Sequence, residues 1–308
     1  MLCGCADLSA RQLRKKNLLA IRKAGEYVPM ALDIYVGPLT RYYAGDWRTI
    51  LLQWAVANQQ SPDPRLLVGF SSAEKPARVL TSENLESRDP GIAAQTTFLS
   101  NDGEVLEAAE IKTNRKLIQP ASVVPERVAA WITELNEALE PNLTGRIDWK
   151  DEAEGAYYTD KPGWEPYYAL QLWAAYDEHP ELRLPKKVPD TLARDPAYKR
   201  STAPSFESLY TSLLGIQMWL PCTENFVFTA NDATGARCRF GFTPCLVGEL
   251  EHLNSRTWNA DIETVKSWDM EAPAEGAALE DSAKFAFSVF LHLAHTAAED
   301  RLPMLLDF

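Results

Sequence analysis

The segment 279–298 constrains this chain more than any other. It reads LEDSAKFAFSVFLHLAHTAA, and Phe285, Phe287, Val289, Phe290, Leu291 and Leu293 place apolar surface on nearly every side of a helix. A helix that is apolar all round is stable in water only when neighbouring elements wrap it. The rest of the chain must therefore supply layers around this one, and LPMLLDF after it is expected to pack rather than trail. No apolar run reaches the roughly 18–20 residues that a bilayer requires, so no membrane span is expected.

The wrapping elements are legible in part. The segment 122–140 carries Pro125 near its start and Val128, Trp131, Ile132, Leu135 and Leu139 at helical spacing. A mostly buried helix is expected over Glu165–Glu178, stopped by Pro180. Thr243-Pro244 is expected to cap a helix with Leu246, Leu250 and Leu253 as its stripe. LDIYVG at 32–37 has strand chemistry ended by Gly37-Pro38, and RIDW at 146–149 reads as a short strand. ENFVFTANDATGARCRFGF is the clearest hairpin, near 225–241, with Phe226 and Phe228 alternating on one arm and Cys238 and Phe240 on the other. Residues 183–204 read as a proline-punctuated surface connection, and 71–120 show little pattern beyond a possible strand at TTFLS. Helices dominate, and the strands do not alternate with them strictly. The expected class is α+β: a helix-rich single core with a few short strands.

Charge divides the chain. Residues 1–29 hold six basic and two acidic side chains, a net +4 in a chain whose total is −12. The charge balance and the residue pattern change together at Met30, which is read as the true start of one compact domain over 30–308. The basic extension before it lacks the apolar region of a secretory signal. The acidity that remains repels phosphate backbones and anionic lipid, so neither nucleic acid nor membrane is an expected partner; a basic protein is. Five cysteines, an odd and sparse set without a paired framework, indicate a reducing, cytoplasmic compartment.

The chemistry-bearing motifs are few. Glycine-rich phosphate loops and nucleophile elbows are absent from the sequence. Cys222, Cys238, Cys245 and His252 lack the close pair that folds a knuckle round zinc, so no metal is expected, and no cofactor. His292 and His295 lie one turn apart near Glu299 and Asp300 and are secondary candidates, read first as satisfied helix histidines. Asp148, Asp151, Glu152 and Glu154 surround Trp149 as a solvated face or an acidic–aromatic contact patch. The densest constellation is the loop holding Arg41, Tyr42, Tyr43, Asp46 and Trp47, residue types enriched at recognition sites. The competing reading makes Asp46 the N-cap of a helix from Trp47 to about Asn58, pairs Arg41 with a carboxylate, and packs the aromatics.

Three stretches, ALDIYVGPLTRYYAGDW, GWEPYYALQLWAAYDEHPEL and GARCRFGFTPCLVGELEHLNSRTW, resemble an uncharacterised group of bacterial cytosolic proteins with a link to toxin–immunity neighbourhoods. That resemblance carries no established activity and no catalytic residues. It implies a protein-binding, immunity-like role using an acidic, Trp-rich surface. The alternative is an enzyme of another class whose cleft is lined by the 41–47 loop.

Overall fold

The computed structural model describes residues 32–44, 46–47, 50, 98–99, 105–106, 124–189, 191–274 and 276–307. The segment 1–29, Met30, most of 71–120 and the helix expected beyond Trp47, apart from a helical Ile50, lie outside these residues. In chain order the elements are β1 (Asp33–Val36), α1 (Leu39–Tyr43), β2 (Phe98–Leu99), β3 (Val105–Leu106), α2 (Val124–Leu139), β4 (Tyr158–Asp160), α3 (Trp164–Glu178), α4 (Pro196–Ser201), β5 (Met218–Leu220), β6 (Phe228–Asn231), β7 (Arg237–Phe242), α5 (Thr243–Arg256), α6 (Ile262–Ser267), α7 (Leu279–Glu299) and β8 (Met304–Asp307). The class is α+β, as the sequence indicates. The chain forms two compact units.

The first unit comprises the chain up to Val36 together with Tyr158–Ala230 and Cys238–Phe308. Its mixed sheet has the order β4-β1-β8-β5-β7-β6. β8 runs antiparallel to both β1 and β5, and β5 runs parallel to β7. Every residue of β1, β5 and β8 is buried, as expected for strands covered on both faces. Ile34, Val36, Trp219, Met304 and Leu306 join the core formed with α3, α5 and α7.

α7 lies at the centre of that core, with thirteen buried residues distributed round its axis. Phe290 stacks on Tyr167 of α3, with centroids 4.9 Å apart, and meets Trp219 of β5 edge-on at 6.2 Å. Fully buried alanines of both helices, Ala174 on α3 and Ala286, Ala294 and Ala297 on α7, belong to the same core cluster. Small residues at a crossing let helix axes approach closely. Each buried Phe or Leu adds roughly 1.5–3 kcal/mol, which explains why the all-apolar helix is the organising element.

The hairpin forms where expected but begins later. β6 starts at Phe228, so Phe226 precedes the strand and meets Phe242 edge-on at 5.2 Å, while Phe228 stacks on Phe240 at 5.0 Å. Asp232 shapes the turn: its carboxylate accepts from the Thr234 and Ala236 amides at 2.8 and 3.0 Å. Thr243 does not cap α5; it belongs to the helix, and its hydroxyl donates to Leu220 O at 3.2 Å.

The second unit comprises Gly37–Tyr157 and the hairpin tip Asn231–Arg237. α2 buries Val128, Trp131 and Leu135 on one stripe. It holds the tip from above, with Trp131 Nε1 donating to Asn231 O at 2.8 Å and Arg127 Nε donating to Ala233 O. β2 and β3 form a two-stranded antiparallel pair. RIDW is not a strand. Ile147 and Trp149 are buried and their neighbours exposed, as alternation requires, but Asn136 takes the place of a partner strand. Its side chain accepts from the Ile147 amide and donates to the Ile147 carbonyl, both at 2.8 Å.

Candidate functional site

The residues Arg41, Tyr42, Tyr43, Asp46 and Trp47 gather in the second unit, though not as a loop. Residues 39–43 form the short helix α1, with Pro38 preset at φ −58° in front of it. Its first turn is capped from far along the chain: Thr40 donates its amide and its hydroxyl to the Asp151 carboxylate, at 3.0 and 2.6 Å. A carboxylate at a helix N-terminus is favoured by the amide dipoles there.

Arg41 is committed to backbone oxygens. Its Nε donates to Asp46 O at 2.6 Å and its Nη1 to Gly155 O at 2.8 Å. The guanidinium carbon stands 4.4 Å from the Tyr157 ring centroid. Nη2 lies 3.7 Å from the carboxylate of Asp46, whose side chain is 69% exposed, so the ion pair adds little to the backbone bonds. Gly155 leaves the necessary room: a Cβ there would stand 2.9 Å from Glu152 O and from Pro38 Cγ. Tyr42, Tyr43 and Trp47 are buried, with Tyr42 stacked on Trp47 at 5.7 Å and edge-on to Tyr43 at 5.2 Å. Asp46 is the exposed member of the set.

The secondary candidates lie on α7 in the first unit. His295 Nε2 is 3.4 Å from Glu251 Oε1 of α5, and His292 is exposed. Cys222 is buried, while Cys238 and Cys245 are half-buried. Among the described residues no cluster of three or more His, Cys, Asp or Glu side chains has metal-binding geometry. Burial, then the neighbouring Glu249, push the Cys245 thiol up to about 11, which keeps it protonated and a poor nucleophile at neutral pH. Glu249 is itself pushed up to about 7 by burial, although it accepts from the Ser212 and Leu213 amides at 2.8 Å.

A surface that sequence reasoning passed over lies at 258–281 in the first unit. Asn254 closes the turn before α6: its side chain donates to Ala260 O at 2.8 Å and accepts from the Ala260 amide at 3.0 Å. Asp261 then caps α6, accepting from the Thr264 amide at 2.8 Å, and that bond holds its carboxyl below the usual range. Trp258 stacks on Trp173 at 5.5 Å and meets Trp268 and Phe287 edge-on at 5.2 and 5.1 Å. In the same stretch Ile262 and Met270 are 54% and 42% exposed. From Asp261 to Asp281 the sequence holds seven carboxylates and one lysine. The signal was present as apolar residues interleaved with acids, but without a helical period long enough to mark a face. Comparison with known proteins returns no matching family model, no matching curated protein and no matching solved structure.

Proposed function

We propose that this chain is a non-enzymatic protein-binding protein of the bacterial cytoplasm, immunity-like in acting by covering a basic partner. The observation that carries this reading is the pair of exposed apolar side chains, Ile262 and Met270, set in the acidic 261–281 stretch beside half-buried Trp258 and Trp268. An interface core takes Trp and Met readily, and an acidic rim selects a cationic partner and steers its approach. The enzyme reading draws less support, because Arg41 faces backbone carbonyls and Tyr42, Tyr43 and Trp47 are packed. The test is affinity capture on the full chain and on the double variant Ile262→Lys/Met270→Lys, in extracts of the source organism. A stoichiometric basic protein is expected with the wild type, released by salt and lost from the variant. Recovery of no stoichiometric partner, or its equal retention by the variant, overturns the reading.

A further inference from the structure

Arg239 and Tyr198 of the first unit close on Gly215, and Tyr167 and Tyr168 interact with Tyr198. Tyr167 and Tyr168 lie in the first turns of α3. Tyr198 lies on α4, whose start is fixed by Asp195, the carboxylate accepting from the Ala197 and Tyr198 amides at 2.9 and 3.1 Å. Arg239 projects from β7. A Cβ on Gly215 would stand 3.1 Å from Arg239 Nη1 and 3.5 Å from Tyr198 Oη, so both groups close on this one backbone position. Gly215 has φ +72°, a conformation side chains other than glycine's disfavour, and its bare Cα lets the Arg239 guanidinium approach the backbone there.

The group consists of donors. Burial raises all three tyrosines above their ordinary pKa; Tyr198 and Tyr168 add to the rise of Tyr167, and Tyr168 adds to that of Tyr198. They stay protonated, and the Arg239 charge beside Tyr198 acts in the opposite sense. The Tyr167 hydroxyl is buried and closes no hydrogen bond with any described residue. Gln171 stands next to it, but its Nε2 donates to Leu213 O at 3.1 Å. Trp164 adds an aromatic wall, its ring centroid 5.3 Å from that of Tyr168. A buried hydroxyl without a partner destabilises a fold unless something else recovers the loss.

We infer that Arg239, Tyr198 and Tyr168, with Tyr167 as the buried member, bind the oxyanion of a small ligand, a carboxylate or a phosphate group. A guanidinium fork and phenolic hydroxyls match such oxygens in charge and direction. The overall −12 would otherwise exclude anions, so selectivity falls to this local donor set. The site shares no residue with the surface assigned to a protein partner, and the two stand or fall separately.

The experiment is calorimetric titration of the full chain at low ionic strength, with inorganic phosphate and with acetate as separate probes. Saturable binding of at least one probe is expected; which one binds identifies the group recognised. Arg239→Ala is expected to weaken it about tenfold or more and Tyr198→Phe roughly three- to tenfold, while Arg237→Ala, which like Arg239 is exposed on β7 but is not among the groups at Gly215, changes it less than about twofold. Tyr167→Phe separates a ligand role from a structural one: it should raise the melting temperature of the free protein and weaken probe binding. Absence of saturable binding by the wild type, equal binding by Arg239→Ala, or equal weakening by Arg237→Ala overturns the proposal. A lower melting temperature for Tyr167→Phe removes Tyr167 from it.

Discussion

Arg41 and Arg239 are both arginines set among tyrosines, and their situations are opposite. Arg41 gives its N–H groups to two backbone carbonyls and lies against Tyr157. Arg239 sits by a tyrosine hydroxyl and a bare glycine, with no carboxylate among the described residues paired to it. Composition draws attention to the first constellation, because its arginine and aromatics are neighbours in sequence. The second is assembled from α3, α4 and β7 and has no local signature. Enrichment in Arg, Tyr and Trp marks where large side chains gather; the hydrogen-bond partners decide whether they hold the fold or await a ligand.

The contrast can be broken by stability measurements, beginning with the largest expected effect. Arg41→Ala should cost about 2–3 kcal/mol, since two charge-assisted bonds are lost and their carbonyls left behind, and Arg41→Lys should not restore it because an ammonium cannot span both oxygens. Urea unfolding with unchanged m-value measures this, and a loss below about 0.5 kcal/mol would end the view of Arg41 as a clamp. Thr40→Val removes the hydroxyl that donates to Asp151 and should cost about 1 kcal/mol.

Glu249 sharpens the comparison, being a group that is partnered and still held unfavourably. Its folded carboxyl keeps its proton up to about pH 7, against an ordinary value of 4.5. Between those values the folded state binds more protons than the unfolded one, so this residue's contribution falls as pH rises through the window and levels off above it. Urea midpoints from about pH 4.5 to about pH 8 should show that fall in the wild type and a flatter profile in Glu249→Gln. An identical profile in both proteins would show that Glu249 does not titrate there. The smallest effect belongs to Arg239→Ala, which should alter stability by less than about 0.5 kcal/mol. A loss matching that of Arg41→Ala would make the two arginines equivalent.

Legibility followed the range of the interactions. α7 could be read because its own residues demand burial on all sides, and the hairpin because Asp232 and Gly235 set the turn locally. RIDW was read as a short strand, and the reading failed because a side chain eleven residues away, Asn136, satisfies the Ile147 backbone in place of a partner strand. α1 was read as a loop because its cap, Asp151, stands 111 residues from Thr40. β8 was expected only to pack, since nothing in its four residues announces two partner strands. Of the candidate sites, the 41–47 grouping was visible, but the engagement of Arg41 with Gly155 was not; the group around Gly215 depends wholly on tertiary placement.

The position of β8 also has a consequence for synthesis. Residues 304–307 lie between β1 and β5 in the sheet, although both strands are made earlier. Until the ribosome has passed residue 307, each of those two apolar strands keeps one edge open to any other chain nearby. The sheet therefore cannot close until residues 304–307 have been made, and its closure depends on contacts between residues far apart in the chain. A nascent-chain holdase would find its binding surface here, along DIYV and MWL, before β8 is in place and not after it.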